Sequence, residues 1–231
     1  MLESYLSPLY VSLKTVLTST FITFFLGIAA ARWMANYRGR FKSLIDGLFL
    51  LPLVLPPTVV GFGLLMFFGK SGPIGLLLAL FNTSVIFSWP ATVITAVIVS
   101  FPLMYMSARG GFEQVDINIE NAARTLGVGE WRIFWTVTLP LSWPSIMAAT
   151  VLAFARALGE FGATLMLAGN IPGRTTTIPV AIYFKIQAGH MEEALVLTLI
   201  VLAMAFASLA LLAYWKGKAK QNGRSRILAG N

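Results

Sequence analysis

Five stretches of this chain, about 10–34, 45–68, 91–108, 144–169 and 194–215, are apolar over lengths close to the roughly 20 residues a helix needs to cross a bilayer. No other feature narrows the fold as far. Charge content agrees: 11% of the residues are charged and 57% are hydrophobic, where ordinary soluble domains carry about 25% charged residues. The sequence predicts an all-α polytopic membrane protein, one domain over 1–231 with about five transmembrane helices.

The connections between these stretches differ sharply in charge. Arg32, Arg38, Arg40 and Lys42 crowd the first. Arg109, Arg124 and Arg132 lie in the third, and Lys216, Lys218, Lys220, Arg224 and Arg226 form a short basic tail over 216–231. The alternate connections hold Lys70, Arg174 and Lys185. By the positive-inside rule the N-terminus is outside and the C-terminus inside. The net charge of +8 is thus a topology signal, and no nucleic-acid partner is expected. Residues 72–88 are apolar but short, and carry Asn82-Thr83-Ser84. Counted as a span, they would put Arg109, Arg124 and Arg132 opposite Arg32–Lys42, so a re-entrant or interfacial external segment is expected. With no cysteine and one histidine, His190, neither a disulfide framework nor a metal site is expected. The N-terminus lacks the basic n-region of a removable signal peptide.

The third connection, 109–140, interrupts the apolar pattern for longest. Asp116 is placed to N-cap a helix in which Ile119, Ala122, Ala123 and Leu126 recur at helical spacing, and Gly127 stands at the C-cap position. Glu130–Val137 reads as a second short helix, both lying at nearly a right angle to the spans. Arg109, Arg124 and Arg132 are outweighed by Glu113, Asp116, Glu120 and Glu130. A helix meant for anionic lipid would instead be rich in Lys and Arg. From pattern alone, docking into a partner's groove and packing beneath the chain's own bundle fit the stripe equally.

Glu120, Ala122-Ala123 and Gly127, followed by Leu139-Pro140, resemble the cytoplasmic "EAA" loop of ABC-importer permeases. The resemblance implies a coupling helix seated on a cytosolic ATPase, with Glu120, Ala122, Ala123, Arg124, Leu126 and Gly127 as the coupling positions. It also implies a homodimer, two ABC ATPase subunits that carry ATP and Mg, and an external oxyanion-binding protein. No cofactor is expected on this chain, which has no GxxxxGK[ST] phosphate loop. Three further stretches, LPLVLPPTVVGF (51–62), FARALGEFGAT (154–164) and NIPGRTTTIPVAIY (170–183), are similar to molybdate permeases. Sulfate permeases share the first two types. The implied cargo is a tetrahedral oxyanion, molybdate or tungstate, with sulfate or thiosulfate as the alternative.

These stretches also have a direct physical reading. Pro52, Pro56 and Pro57 remove backbone donors within the second span and should kink or break it. Irregular backbone at membrane depth is tolerated where it is buried in protein or lines a cavity. Gly61 and Gly63 would allow close approach there. Arg156 and Glu160 are charges well inside the fourth span, one turn apart, and a structural or subunit-interface ion pair is favoured over direct substrate contact. Pro56, Pro57, Thr58, Arg156, Glu160 and Thr164 are therefore translocation-path or interface candidates. An intramembrane enzyme would have only Arg156 and Glu160 to work with. A self-sufficient channel or secondary carrier would have no use for the 120–127 helix.

Overall fold

The computed structural model describes the backbone of residues 2–228 and the side chains of residues 4–214. All its regular elements are helical: α1 (Leu2–Asn36), α2 (Lys42–Val54), α3 (Pro57–Phe68), α4 (Pro73–Ala79), α5 (Trp89–Glu113), α6 (Ile117–Thr125), α7 (Glu130–Ile133), a π-helical turn at Phe134–Thr138, α8 (Leu139–Leu158), α9 (Gly162–Ala168), α10 (Ile178–Gln187) and α11 (Met191–Leu228). The basic tail expected over 216–231 lies outside the described side chains. Among the described residues, four helical stretches are long and apolar enough to cross a membrane, and the bent α2–α3 pair makes a fifth.

Buried hydroxyls fix the direction of the crossings. Thr15 and Thr92 hydrogen-bond at 2.9 Å, and Thr23 and Ser100 at 3.2 Å. The partners advance together, so α1 and α5 run parallel. Ser142 donates to the Gly111 carbonyl at 2.9 Å and Thr150 lies against Met104, so α8 returns antiparallel to α5. Tyr5 and Leu9 cluster with Leu197 and Ile200, and Val16 with Val201 and Met204; α11 therefore runs with α1. The α2–α3 pair starts beside Arg109, through Asp46, and ends beside Ala91, through Leu64 and Leu65, so it makes one crossing against α5. The parallel course of α1 and α5 leaves no room for another crossing between them. Residues 72–88 accordingly form only the seven-residue α4 and turns, about 10 Å of helix.

Two expectations about where helices begin and end need correction. The 109–140 connection does not hold two separate short helices: α7 runs through the π turn into α8 as one helix, Glu130–Leu158. Pro140 cannot supply an N–H to the helical ladder, and the wider turn before it closes with Leu139 N–H bonded to the Phe134 carbonyl. The fourth span, expected over 144–169, is broken after Leu158, and α9 starts at Gly162. The second span breaks as its prolines require. Leu55 and Pro56 are extended (φ −73°, ψ 143° and φ −54°, ψ 138°), because a residue before proline is pushed out of the helical region. Pro57 then begins α3 where no N–H is needed, and the two halves meet at 114°.

The second halves of the broken spans, α3 and α9, pack on each other. A Cβ added at Gly61 would lie 2.6 Å from the Ala163 Cα, whereas nothing lies within 4 Å of one at Gly63. Gly61 therefore serves close approach, and Gly63, expected to do the same, does not. Gly61→Ala should destabilise the protein by about 1–3 kcal/mol, the usual cost of overpacking against an unyielding neighbour. Gly63→Ala should be neutral. Thermal unfolding in detergent checks the contrast, and equal melting of the two variants would refute this packing. At the other end, Arg109 Nη1 donates to both Asp46 oxygens, the Tyr105 hydroxyl donates to Asp46, and Arg109 Nε donates to Glu113 at 2.7 Å. This network pins the start of α2 to α5.

Candidate functional site

The breaks in the second and fourth spans bring most of the predicted path residues to one region. A Cβ on Gly162 would meet Pro57 Cβ at 3.2 Å and Thr58 Cγ2 at 3.3 Å, so the start of α9 is seated on the start of α3. Pro56, Pro57 and Thr58 are exposed there, while Thr164 is buried, its hydroxyl 3.0 Å from that of Thr95 on α5. Thr164 thus belongs to the internal hydroxyl packing of α5 and α9.

Arg156 and Glu160 form the expected ion pair, Nη1 to Oε2 at 3.1 Å, but unequally. Glu160 is 3% exposed and, among the described residues, is the one buried charged side chain. Its other oxygen accepts from the Ala163 backbone N–H at 2.8 Å. It therefore caps the new helix across the break, satisfying an N–H that a helix start leaves without a partner. The Arg156 side chain is 27% exposed.

The other region is the α6 end of the bundle. Asp116 caps α6 as expected, accepting from Asn118 N–H at 2.9 Å. Gly127, at φ +77°, ends it; its N–H reaches the Arg124 carbonyl at 2.9 Å and Val128 N–H reaches Ala123 at 3.2 Å. These two bonds close a Schellman motif, whose left-handed residue is normally glycine. The polar face of α6 turns towards the rest of the chain. Glu120 accepts from the Thr138 hydroxyl at 2.7 Å and from Arg124 at 3.1 Å. Arg124 also donates to Glu130 at 3.0 Å and to Asn121 at 2.7 Å. The Glu130 carboxylate, then that of Glu120, pushes the Arg124 guanidinium above its ordinary pKa, so the tether stays charged. The apolar face of α6 turns outward: Leu126 is 83% exposed, Ile119 46%, and Ala122 is exposed, with Ala123 half-buried. Packing beneath the chain's own bundle is therefore not what the stripe does.

Several contacts here have no sequence signal. Thr138 as the anchor of Glu120 lies 18 positions away in a π turn that periodicity does not reveal. Arg109, counted only as a topology charge, is tied to Asp46. Lys14 lies 4.1 Å from the centre of the Trp89 ring, whose Nε1 donates to Thr15 at 3.1 Å. The break at Gly159 did leave a trace: two glycines flank the acidic Glu160, and acidic residues favour helix starts.

Crossings broken at one level, with a helix tethered by its polar face and showing its apolar face outward at one end, define a polytopic transport permease. Residues 23–218 match the family described as the binding-protein-dependent transport system inner membrane component, and the chain belongs to that family. It is 48% identical over 187 residues to the molybdenum transport system permease protein ModB of Escherichia coli K12, covering 80% of this chain and 81% of that one. It is 43% identical over 218 residues to ModB of Haemophilus influenzae, covering 94% and 95%. Its fold matches that of a bacterial ABC transporter involved in the import of the acidic polysaccharide alginate, with TM-score 0.75 at 14% identity, over 94% of this chain and 79% of that one.

Proposed function

We propose that this chain is the membrane-spanning subunit of an ATP-driven importer that carries molybdate, or the like-shaped tungstate, across the inner membrane into the cytoplasm. It works as a homodimer on two ABC ATPase subunits, which hold the ATP and Mg, and takes its anion from an external binding protein. The α6 end is cytoplasmic, placing the N-terminus outside and the C-terminus inside, in line with Arg32–Lys42, Arg109 and Arg124 at that end. The family and the two molybdenum permease relatives support the cargo.

The observation that carries the coupling role is the orientation of α6. A helix held to its own chain by Glu120 and Arg124, with Ile119, Ala122 and Leu126 facing away, is built to enter another protein's groove. Closure of the two ATPases would draw the two α6 helices together. Because Glu120 is tied to Thr138 at the base of the 130–158 helix, that movement passes to the broken fourth span.

Leu126→Asp should abolish co-purification with the ATPase while leaving the thermal stability of this chain unchanged. Undiminished co-purification would refute docking through this face. In liposomes, binding protein with molybdate should stimulate ATP hydrolysis, and with sulfate should not. Stimulation by sulfate alone would move the assignment to a sulfate permease, and uptake without ATP would move it to a channel or secondary carrier.

A further inference from the structure

We propose that Arg156 is a substrate contact: its guanidinium receives the oxyanion at mid-depth during passage, while Glu160 positions it and limits how tightly it binds. This rests on the importer reading. Ala157 and Leu158, next in the chain, pack with Val16, Val201 and Met204, near the middle of α1 and of the apolar Met191–Tyr214 part of α11. Arg156 is therefore deep in the bundle, and yet its side chain is 27% exposed. Charges at that depth face a bundle interior or a water-filled cavity, because exposure to hydrocarbon is too costly. The surface that carries Arg156 thus faces a path or a second subunit. Leu152, one turn earlier, is on the open side too, and Pro57 and Thr58 are exposed where α9 meets α3.

The pair's asymmetry points to a ligand. Glu160 has committed both oxygens, one to Ala163 N–H and one to Arg156. A guanidinium has five N–H donors, and Arg156 reaches Glu160 through Nη1 alone. The remaining donors form the planar fork that matches two oxygens of a phosphate-like tetrahedral anion. Glu160 also offsets much of the positive potential, so the anion is held weakly enough to leave.

The chain has no cysteine, so Arg156→Cys provides its one thiol. The variant is reconstituted with its ATPase and binding protein and treated with 2-aminoethyl methanethiosulfonate, which reacts with thiolate in contact with water and returns a cation to this position. Labelling of this chain is expected. In the parallel variant Leu152→Cys, which keeps Arg156 and puts the thiol one turn away on the same open side, molybdate at about 90% occupancy should slow labelling about tenfold and chloride at equal ionic strength should not; in Arg156→Cys, labelling should restore part of the uptake. An assembled Arg156→Cys complex that does not label, or a Leu152→Cys complex that labels equally fast with either oxyanion present, overturns the proposal. If Arg156→Cys fails to insert, the double variant Arg156→Cys with Glu160→Gln, which leaves no unpaired charge, carries the same test. Arg156→Lys keeps the charge but loses the fork, so uptake per ATP hydrolysed should fall about tenfold with ATPase stimulation retained. A parallel fall in both, as from a merely structural defect, overturns the contact. Protection by sulfate and not molybdate keeps the contact and rejects molybdate as cargo. Protection by molybdate in a chain that shows no ATP-driven uptake keeps the contact and rejects the importer.

Discussion

Replacing Glu160 by alanine is expected to destabilise the protein by about 3–5 kcal/mol, the cost of removing one member of a buried ion pair and leaving the other uncompensated. The substitution removes two supports at once. Arg156 loses the acceptor it holds at 3.1 Å, and the first turn of α9 loses the acceptor of its Ala163 N–H. The second loss adds about 1 kcal/mol, as for other lost helix caps. Because α9 carries the surface on which Pro57 and Thr58 are seated, the damage should spread to the α3 side of the broken second span. Glu160→Gln keeps an oxygen for the cap and should lose markedly less. Thermal unfolding in detergent, with membrane abundance, measures both variants. A Glu160→Ala protein that melts with the wild type would show that neither support matters.

Glu120→Ala is expected to lower ATP-driven uptake about tenfold or more, with insertion and thermal stability close to normal. Glu120 joins two elements: it sits on α6, where it accepts from Arg124 at 3.1 Å, and it accepts from Thr138 in the π turn at 2.7 Å. Hydrogen bonds to charged groups contribute about 1.5–3 kcal/mol each, and about 1.4 kcal/mol is a factor of ten in an equilibrium. Without them α6 remains helical, since its Asp116 and Gly127 caps are untouched, but it no longer moves with the 130–158 helix. Binding-protein stimulation of ATP hydrolysis should fall along with uptake. Thr138→Val should shift both in the same direction by less. Normal uptake by Glu120→Ala would show that force reaches the spans through other contacts.

The expectations that held depend on neighbours in the chain. Asp116 and Gly127 bound α6 because caps act within one turn. The Pro56-Pro57 pair breaks the second span because proline restricts the residue just before it. The reading of 72–88 as something other than a crossing followed from charge bookkeeping, and the parallel course of α1 and α5 supports it from independent contacts. The fourth span was misjudged because its run of apolar residues continues past Leu158, and hydropathy is blind to a helix that stops and restarts.

By itself, then, the sequence determined that this chain crosses a membrane as about five helices, where its second span breaks, and where a capped amphipathic helix interrupts the pattern. Each of these follows from hydropathy, from backbone donors that proline lacks, or from local caps. Only the tertiary structure decided that the fourth span also breaks, that Glu160 is buried while Arg156 is partly open, and that α6 turns its apolar face outward. Those outcomes depend on Thr138, Ala163 and Pro57, side chains and backbone groups brought to Glu120, Glu160 and Gly162 by folding, and local periodicity carries no record of which polar group a distant partner will engage.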